Sequence, residues 1–174
     1  SSLITFRDGL PNSIVAANTW AGQSLDEWGD RKDLGYHVNK YEGGVVRDSL
    51  THSVDIIHWM LGDIRAVCAV LLNTGKFSTE VFDSADVLLE LSNGAIISAH
   101  VDYLQVPRSH RWTVLSGLPQ GVNCMQWDFN PAEAGLMYTA EIRSLIRAVD
   151  RDLQPQPDLA EGIYNMEVLD AIVK

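Results

Sequence analysis

The chain has 174 residues, 46% of them hydrophobic and 21% charged, which is long enough for one domain with a substantial core and short for two. Thirteen Lys and Arg residues against 23 Asp and Glu leave a formal charge of -10, which repels nucleic-acid phosphates and anionic lipid alike. The sequence therefore predicts a single globular domain over residues 1–174 that binds neither nucleic acid nor a membrane.

The N-terminal part combines one predicted strand with a long irregular segment. Ile14–Trp20 is rich in β-branched and aromatic residues, which predicts a strand. The polar segment 21–42 follows, and irregular segments of that length are often functional. Its aromatic residues could line a binding pocket or pack as ordinary core: Trp20 at its edge, then Trp28, Tyr36 and Tyr41. Because the sequence begins without Met inside strand-like residues, we expect it to be part of a longer protein.

The middle of the chain predicts one helix followed by a run of strands. Residues 44–61 have apolar side chains at helical spacing, and Gly62 ends the pattern. Ile64–Leu72 carries apolar residues at both odd and even positions, which predicts a strand covered on both faces. Asn93-Gly94 lies between two alternating segments, 84–92 and 95–104, and is a strong hairpin signal. Ala85, Val87, Leu89 and Leu91 then share one face with Ala95, Ile97, Ala99 and Val101.

Two further strands and two helices complete the pattern. Residues 111–117 and 122–129 predict strands joined across Gly117–Gly121, and helical spacing returns over 134–150 and 159–173. Because the strands cluster between helices without strict alternation, we predict an α+β fold. Its form is a two-layer, open-faced, mainly antiparallel sheet with all three helices packed on one face.

Cysteine usage favours a reducing compartment. Cys68 and Cys124 lie far apart in apolar segments, so they form neither a metal-binding pair nor a disulfide framework. We expect both to be buried free thiols in a cytoplasmic protein. No apolar run approaches the roughly 20 residues that span a bilayer, and no signal pattern precedes Ile14.

Three polar residues interrupt the apolar helix over 44–61. Asp48, His52 and Asp55 fall within about 60° of one another on an α-helix, opposite the apolar stripe of the same segment. A carboxylate beside a histidine fixes its tautomer and raises its pKa toward neutrality or above, as a general base at physiological pH requires. The same spacing also occurs in solvated ion pairs, and spacing alone leaves both interpretations open. His52 and His58 face different ways, so we expect no metal site.

The residues around this triad resemble the start of the C-terminal domain of the Gfo/Idh/MocA oxidoreductases, which include inositol and sugar dehydrogenases. The resemblance rests first on Gly43-Gly44, Asp48-x-x-x-His52-x-x-Asp55 and Trp59-Met60-Leu61-Gly62-Asp63. The Asn93-Gly94 hairpin, the Gly117–Gly121 turn and the C-terminal segment 141–174 agree with it. The similarity extends from Ile14 to Lys174.

The resemblance implies an NAD(P)-dependent dehydrogenase acting on a sugar or cyclitol alcohol or ketone. It implies that His52 accepts the proton of the substrate hydroxyl, that Asp48 is its catalytic partner and that Asp55 binds a substrate hydroxyl. The family's N-terminal Rossmann domain, with its Gly-rich loop and Glu-Lys-Pro motif, is absent from this chain, so NAD or NADP would be bound mainly by that missing domain. The alternative is a non-catalytic dimerisation or binding module of the same fold.

Two departures from the family and one surface pattern complete the sequence predictions. Arg47 precedes Asp48 where the family commonly has an apolar residue, and Ser109-His110 lies where sugar-acting members often have an aromatic residue. Both departures leave the substrate open. Strands 64–72 and 122–129 carry apolar residues on both sides, and contiguous apolar patches are uncommon on soluble monomers. We therefore expect a homodimer or homotetramer through the open sheet face, with Trp127 or its neighbours in contact.

Overall fold

The computed structural model describes residues 15–21, 44–76, 80–105, 107, 109–118, 121–128 and 134–174. The strands are β1 (Val15–Ala21), β2 (Ile64–Leu72), β3 (Ser84–Leu91), β4 (Ile96–Asp102), β5 (Ser109–Leu118) and β6 (Gly121–Asp128). A π-helical turn (Val46–Leu50) runs into helix α1 (Thr51–Leu61), and helices α2 (Ala134–Asp150) and α3 (Leu159–Ile172) end the chain. The aromatic residues predicted at 28, 36 and 41 and the side chain of Trp127 lie outside this description.

Six strands form one open sheet in the order β2-β3-β4-β1-β5-β6. Strand β1 runs parallel to β4 and antiparallel to β5, while the remaining neighbours pair antiparallel. Gly94 in the turn between β3 and β4 has a φ of 85°, a backbone conformation that glycine adopts without steric cost. The predicted α+β class with a mainly antiparallel sheet is confirmed.

One face of the sheet carries the core. The predicted inward residues of β3, β4 and the turn before β4 are no more than 2% exposed: Ala85, Val87, Leu89, Leu91, Ala95, Ile97, Ala99 and Val101. The apolar stripe of the π-helical turn and α1 is equally buried: Val46, Leu50, Val54, Ile57 and Leu61. Burial of each such large aliphatic side chain contributes roughly 1.5–3 kcal/mol, so this layer supplies most of the hydrophobic stabilisation.

Helix α3 has a capped start, and polar side chains further along fix it to the rest of the domain. It begins with a capping box, in which Asp158 and Glu161 each accept a backbone N–H from the other. Further along, the Tyr164 hydroxyl accepts from the N–H of Ile64 at 2.5 Å, which anchors the helix to the start of β2. Arg47, which stands where the family commonly has an apolar residue, forms an ion pair with Asp170 on α3 at 2.5 Å.

Helix α2 does not cover the sheet as the sequence predicted. Its apolar residues are between 49% and 73% exposed: Leu136, Tyr138, Ile142, Leu145, Ile146 and Val149. Within the part of α2 whose side chains are described, Ala148 alone is buried. Helical periodicity shows that one face is apolar but does not show what packs on it, so the prediction that all three helices cover the sheet is wrong for this one.

The second face of the sheet is open. Val70, Leu72, Leu88 and Ile96 are between 42% and 69% exposed on it. The expected covering of β2 on both faces is therefore wrong within this chain. The predicted burial of the two cysteines is wrong as well, because Cys68 and Cys124 are both exposed. Their apolar neighbours in sequence alternate between the core and this uncovered face.

Among the described helices, none is long and apolar enough to cross a membrane.

His100 lies on the open face between two carboxylates. Its Nδ1 is 2.8 Å from Asp86 and its Nε2 is 2.8 Å from Asp102. The hydrogen bond with Asp102, aided by the charge and hydrogen bond of Asp86, outweighs the effect of burial and raises the pKa of His100 to about 9. Burial acts to raise the pKa of Asp102, but the hydrogen bond with His100 and those that its Oδ1 accepts from the N–H groups of Gln105 and Leu104 outweigh burial and lower it.

We expect this cluster to make stability depend on pH in the alkaline range. The folded pKa of His100 lies near 9 against 6.5 for a free imidazole, so its contribution is complete below pH 6.5 and lost as the pH rises through about 9. Urea unfolding of the wild type and of His100→Gln at several pH values measures the difference. The gap between the two proteins should shrink as the pH rises, and a gap independent of pH would contradict the ion pairing.

Candidate active site

The segment that carries Asp48, His52 and Asp55 begins at Gly44, a position where the surrounding atoms leave no room for a side chain. Gly44 has a φ of 55°, and a Cβ built on it would lie 2.5 Å from the carbonyl oxygen of Phe82 and 2.7 Å from the Cβ of Val81. The next residue, Val45, donates its N–H to the same Phe82 oxygen at 3.0 Å. Only glycine lets the helical segment begin this close to the chain entering β3.

The first turn after this glycine is π-helical. Residues Val46–Leu50 adopt this wider turn, whereas the sequence predicted a continuous α-helix over 44–61. Single π-helical turns are rare and occur frequently at functional sites. Asp48 lies in the middle of the turn, so its direction is not the one that α-helical spacing predicts.

A buried tyrosine holds the Asp48 carboxylate. The Tyr103 hydroxyl donates to Asp48 Oδ2 at 2.7 Å, and the neighbouring Ser49 hydroxyl donates to the same oxygen at 3.3 Å. Tyr103 has no exposed surface, and it directly follows the last residue of β4. A hydrogen bond from a fixed donor to a carboxylate orients the acceptor, so the sheet sets the position of Asp48.

Strands β1 and β4 end, and β5 begins, at the end of the sheet beside Asp48. Ala21, the last residue of β1, lies opposite Asp102 on β4 and opposite Ser109 on β5. Tyr103 and His110 therefore come from the same end of the sheet, on either side of β1. The π-helical turn also contacts β4, which brings the start of the helical segment to this end.

A second histidine lies close to His52 at this end. His52 is exposed on the second turn of the helical segment, and its charge is one of the two causes that lower the pKa of His110. The larger cause is burial, and together they bring the pKa of His110 to about 4. The Nε1–H of Trp112 donates to Nε2 of His110 at 3.2 Å. The site thus combines an exposed histidine with a partly buried neutral one.

Asp55 points toward helix α3. Its carboxylate accepts a hydrogen bond of 2.6 Å from the amide of Asn165, a residue that is only 7% exposed. A cavity of about 270 Å³ adjoins this pair. The cavity is lined by Asp55, His58, Trp59, Gln156, Pro157 and Glu161. An indole, carboxylates and an imidazole around one cavity can bind a polyhydroxylated molecule through stacking and hydrogen bonds.

His58 packs against the neighbouring elements of the domain. Its ring packs on that of Tyr164 with centroids 4.1 Å apart, and its Nε2 lies 3.1 Å from Asp63. The first contact joins the end of α1 to α3, and the second joins it to the residue before β2. In the described residues, no group of three His, Cys, Asp or Glu side chains could hold a metal ion.

The structure places the three predicted residues in two neighbouring environments. Asp48 and His52 lie near the strand ends with His110, whereas Asp55 is held by α3 beside the cavity. Sequence reasoning did not identify Tyr103 as the partner of Asp48, because no local spacing connects a strand end with a helix 55 residues earlier. His110 carried a signal only as a departure from the family pattern.

Comparison with known families decides the classification. The family model described as the GFO/IDH/MocA C-terminal domain matches residues 13–117, more than half of the chain. The chain belongs to the GFO/IDH/MocA family. The match begins just before β1, includes the helical segment with Asp48 and His52, and continues to Gly117 near the end of β5. No curated protein sequence gives a significant match.

Solved structures share the fold of this GFO/IDH/MocA domain. A levoglucosan dehydrogenase in complex with NADH and levoglucosan superposes with a TM-score of 0.74 at 16% identity, covering 97% of this chain and 56% of that one. GenD2 from gentamicin A biosynthesis, in complex with NAD, gives 0.73 at 18% identity, covering 97% and 53%. The WlbA dehydrogenase from Bordetella pertussis, in complex with NADH and UDP-GlcNAcA, gives 0.70 at 20%, covering 92% and 52%. The chain spans about half the length of each.

Proposed function

We propose that this domain is the substrate-binding and proton-accepting half of an NAD(P)-dependent oxidoreductase that acts on a sugar or cyclitol alcohol or ketone. The observation that carries the proposal is the hydrogen bond from buried Tyr103 to Asp48, which fixes a carboxylate one turn before exposed His52. The structural neighbours, whose complexes contain NAD or NADH and in two cases levoglucosan or UDP-GlcNAcA, support this choice of reaction.

Each of the three polar residues has a proposed role in alcohol oxidation. His52 takes the proton of the substrate hydroxyl as general base. Asp48 is its carboxylate partner and stabilises the imidazolium that this transfer produces. Asp55, held by Asn165 next to the cavity, accepts a hydrogen bond from another substrate hydroxyl. A nicotinamide cofactor, when bound, supplies the carbon that accepts the hydride, and the reduction direction reverses both transfers.

The cofactor would be held mainly by residues outside this chain. The 174 residues contain neither a G-x-G-x-x-G sequence nor a Glu-Lys-Pro motif. Binding the pyrophosphate of a dinucleotide commonly uses such a glycine-rich turn at a helix N-terminus. The cofactor is therefore NAD or NADP bound by a separate nucleotide-binding domain, and the choice between the two lies in that domain.

A pair of measurements tests the proposal. Calorimetric titration of the 174-residue chain with NADH and NADPH should give no saturable binding, whereas the complete enzyme should reduce NAD or NADP with sugars or cyclitols as substrates. Saturable binding of NADH by the chain would contradict the division of roles. Absence of turnover by the complete protein across a panel of such alcohols would favour the alternative, a non-catalytic dimerisation or binding module.

The open sheet face favours assembly under either hypothesis. Val70, Leu72, Leu88 and Ile96 form an exposed apolar surface of strand residues, and a two-fold axis lets such a surface cover itself. We propose a homodimer, or a homotetramer built from it, through this face.

Two free thiols on the same face suit a reducing cytoplasm, since an oxidising compartment would convert exposed thiols to disulfides.

Leu88→Glu should shift the assembly toward monomer. Leu88 is 52% exposed on the open face, and a carboxylate buried there in a dimer would lack a partner. Sedimentation velocity at micromolar concentration measures the change. The matched control is Leu159→Glu, because Leu159 is 80% exposed on α3, away from the open face. A wild-type chain that sediments as a monomer, or equal dissociation by both variants, would contradict the interface.

A further inference from the structure

Helix α2 exposes a row of apolar side chains along its length. The members recur every three or four residues, as on one face of an α-helix, and are between 49% and 73% exposed: Tyr138, Ile142, Leu145, Ile146 and Val149. Ala148, which is 8% exposed, lies about 100° around the helix from the centre of this row. Helix α2 therefore contacts its own domain with a different side, and the described residues leave the apolar row uncovered.

Helix α3 has apolar residues on two opposite sides. Its inner side packs on α1 and β2, and the core residues there are no more than 8% exposed: Val168, Leu169 and Ile172. Its outer side carries a second row at i, i+4 and i+7 that is between 41% and 80% exposed: Leu159, Ile163 and Met166. A helix that is apolar all round is normally buried all round. The outer side of α3 is therefore suited to contact a further layer of protein.

The two rows together match the size of a domain contact. Eight residues, 151–158, connect α2 to α3, and Leu153 in this link is 56% exposed as well. Exposed apolar surface spread over two helices and their link exceeds what soluble monomers usually leave uncovered. Interfaces between domains of one chain typically bury about 600–1,500 Å². A single peptide segment would cover one row, whereas a domain can cover both.

The rows belong to the elements that build the candidate site. Helix α3 packs on α1, the helix that carries His52, and Asn165 on α3 holds Asp55. The link between α2 and α3 contributes Gln156 and Pro157 to the cavity beside Asp55. Hydride transfer requires the nicotinamide and the substrate to be in contact. The domain that holds the cofactor must therefore lie next to these helices, whereas a second copy on the open sheet face lies on the other side of the sheet.

We propose that the exposed rows of α2 and α3 are the docking surface for the nucleotide-binding domain that holds the cofactor. The inference rests on the proposed oxidoreductase function and adds to it the contact that keeps the two halves of the enzyme together. The solved structures described above contain NAD or NADH, and this chain covers 52–56% of their length. Each of them therefore has room for a further domain of similar size, and such a domain is large enough to cover both rows.

Hydrogen exchange followed by mass spectrometry compares α2 in the complete protein with α2 in the 174-residue chain. An isolated helix of 17 residues is only marginally stable in water, so the amides of α2 should exchange fast in the chain. In the complete protein, docking should slow the exchange of residues 142–149 at least about tenfold. Equal rates in the two proteins would overturn the inference.

Ile142→Glu should remove most of this protection. Ile142 is 56% exposed, so a carboxylate there leaves the domain itself intact but would be buried without a partner against a docked domain. Exchange of α2 in the complete variant should rise to within about threefold of the rate in the 174-residue chain. The matched control is Ser144→Glu, which adds the same charge at an exposed position about 140° around α2 from the row and should keep the wild-type rate. Equal effects of the two variants would contradict the docking surface.

A photo-crosslinking residue in place of Ile142 identifies what covers α2. In the complete protein, we expect the crosslinked peptides to come from the nucleotide-binding domain. Crosslinks to a second copy of residues 1–174, or exchange in the 174-residue chain that slows as the protein concentration rises, would assign the surface to assembly and overturn the inference. None of these measurements depends on turnover. A complete protein that protects α2 through such a domain but reduces neither NAD nor NADP would support the docking and contradict the proposed reaction.

Discussion

His52→Ala should lower the kcat of the complete enzyme by about 10²- to 10⁴-fold, the range that a general base usually contributes. His52 is the exposed imidazole of the site, four residues after the Asp48 whose carboxylate Tyr103 holds in place. Without it, the substrate hydroxyl must transfer its proton to water, while the groups that bind the sugar remain. The loss should therefore appear mainly in kcat, with little change in the dissociation constant of the nicotinamide cofactor. Steady-state kinetics and a fluorescence titration with NADH measure the two quantities.

Thr51→Ala is the matched control for this substitution. Thr51 precedes His52 in the same helix and is partly buried, so its replacement tests for a general disturbance of α1. We expect the control to retain kcat within a few-fold of the wild type. If His52→Ala turned over at a near-normal rate at neutral pH, His52 would not be the proton acceptor. If both variants lost activity equally, the effect would belong to the helix.

Gly44→Ala should reduce the free energy of unfolding by about 2–5 kcal/mol, the sum of a left-handed backbone and an overpacked side chain. Its φ of 55° disfavours any side chain, and the new methyl group would meet the carbonyl oxygen of Phe82 and the Cβ of Val81. The backbone must move to relieve both contacts, which would also displace the turn that carries Asp48. Urea denaturation of the 174-residue chain measures the loss.

Gly75→Ala separates the two causes. Gly75 also has a positive φ, 73°, but nothing lies within 4 Å of the position that its Cβ would take. This variant therefore retains the backbone strain and omits the steric clash, and we expect a loss of about 1–2 kcal/mol. The difference between the two variants measures the close approach at Gly44. Equal losses would show that the contact with Phe82 relaxes without cost.

Local periodicity predicted most of the fold. The Asn93-Gly94 turn with alternating residues on each side fixed both the hairpin and its buried face, and the structure confirms Leu89 and Ile97 in the core. The apolar stripe from Val46 to Leu61 likewise predicted which side of the helical segment packs on the sheet. Such patterns succeed because a strand or helix that is half buried must repeat its apolar residues with its own period.

The sequence could not predict features that depend on contacts between distant elements. The π-helical turn at Val46–Leu50 has no local sequence signal, and it changes the direction of Asp48. Ile142 on α2 and Cys68 on β2 lie in apolar segments typical of core residues, yet both are exposed. Whether such residues are buried depends on what covers them. The partnership of Tyr103 with Asp48 also joins segments that only the folded sheet brings together.

Strand β1 has a consequence for how the sheet assembles. Strands β2, β3 and β4 form one antiparallel unit, β5 and β6 form a second, and neighbours within each follow one another in the chain. Within the sheet, β1 lies between the two units, and its first residue, Val15, is opposite both Ile96 and Leu115. Contacts between residues that far apart in sequence close slowly, because the chain loses loop entropy before it gains hydrogen bonds. We therefore expect the insertion of β1, on either side of which Tyr103 and His110 lie, to be among the late steps that form the candidate site.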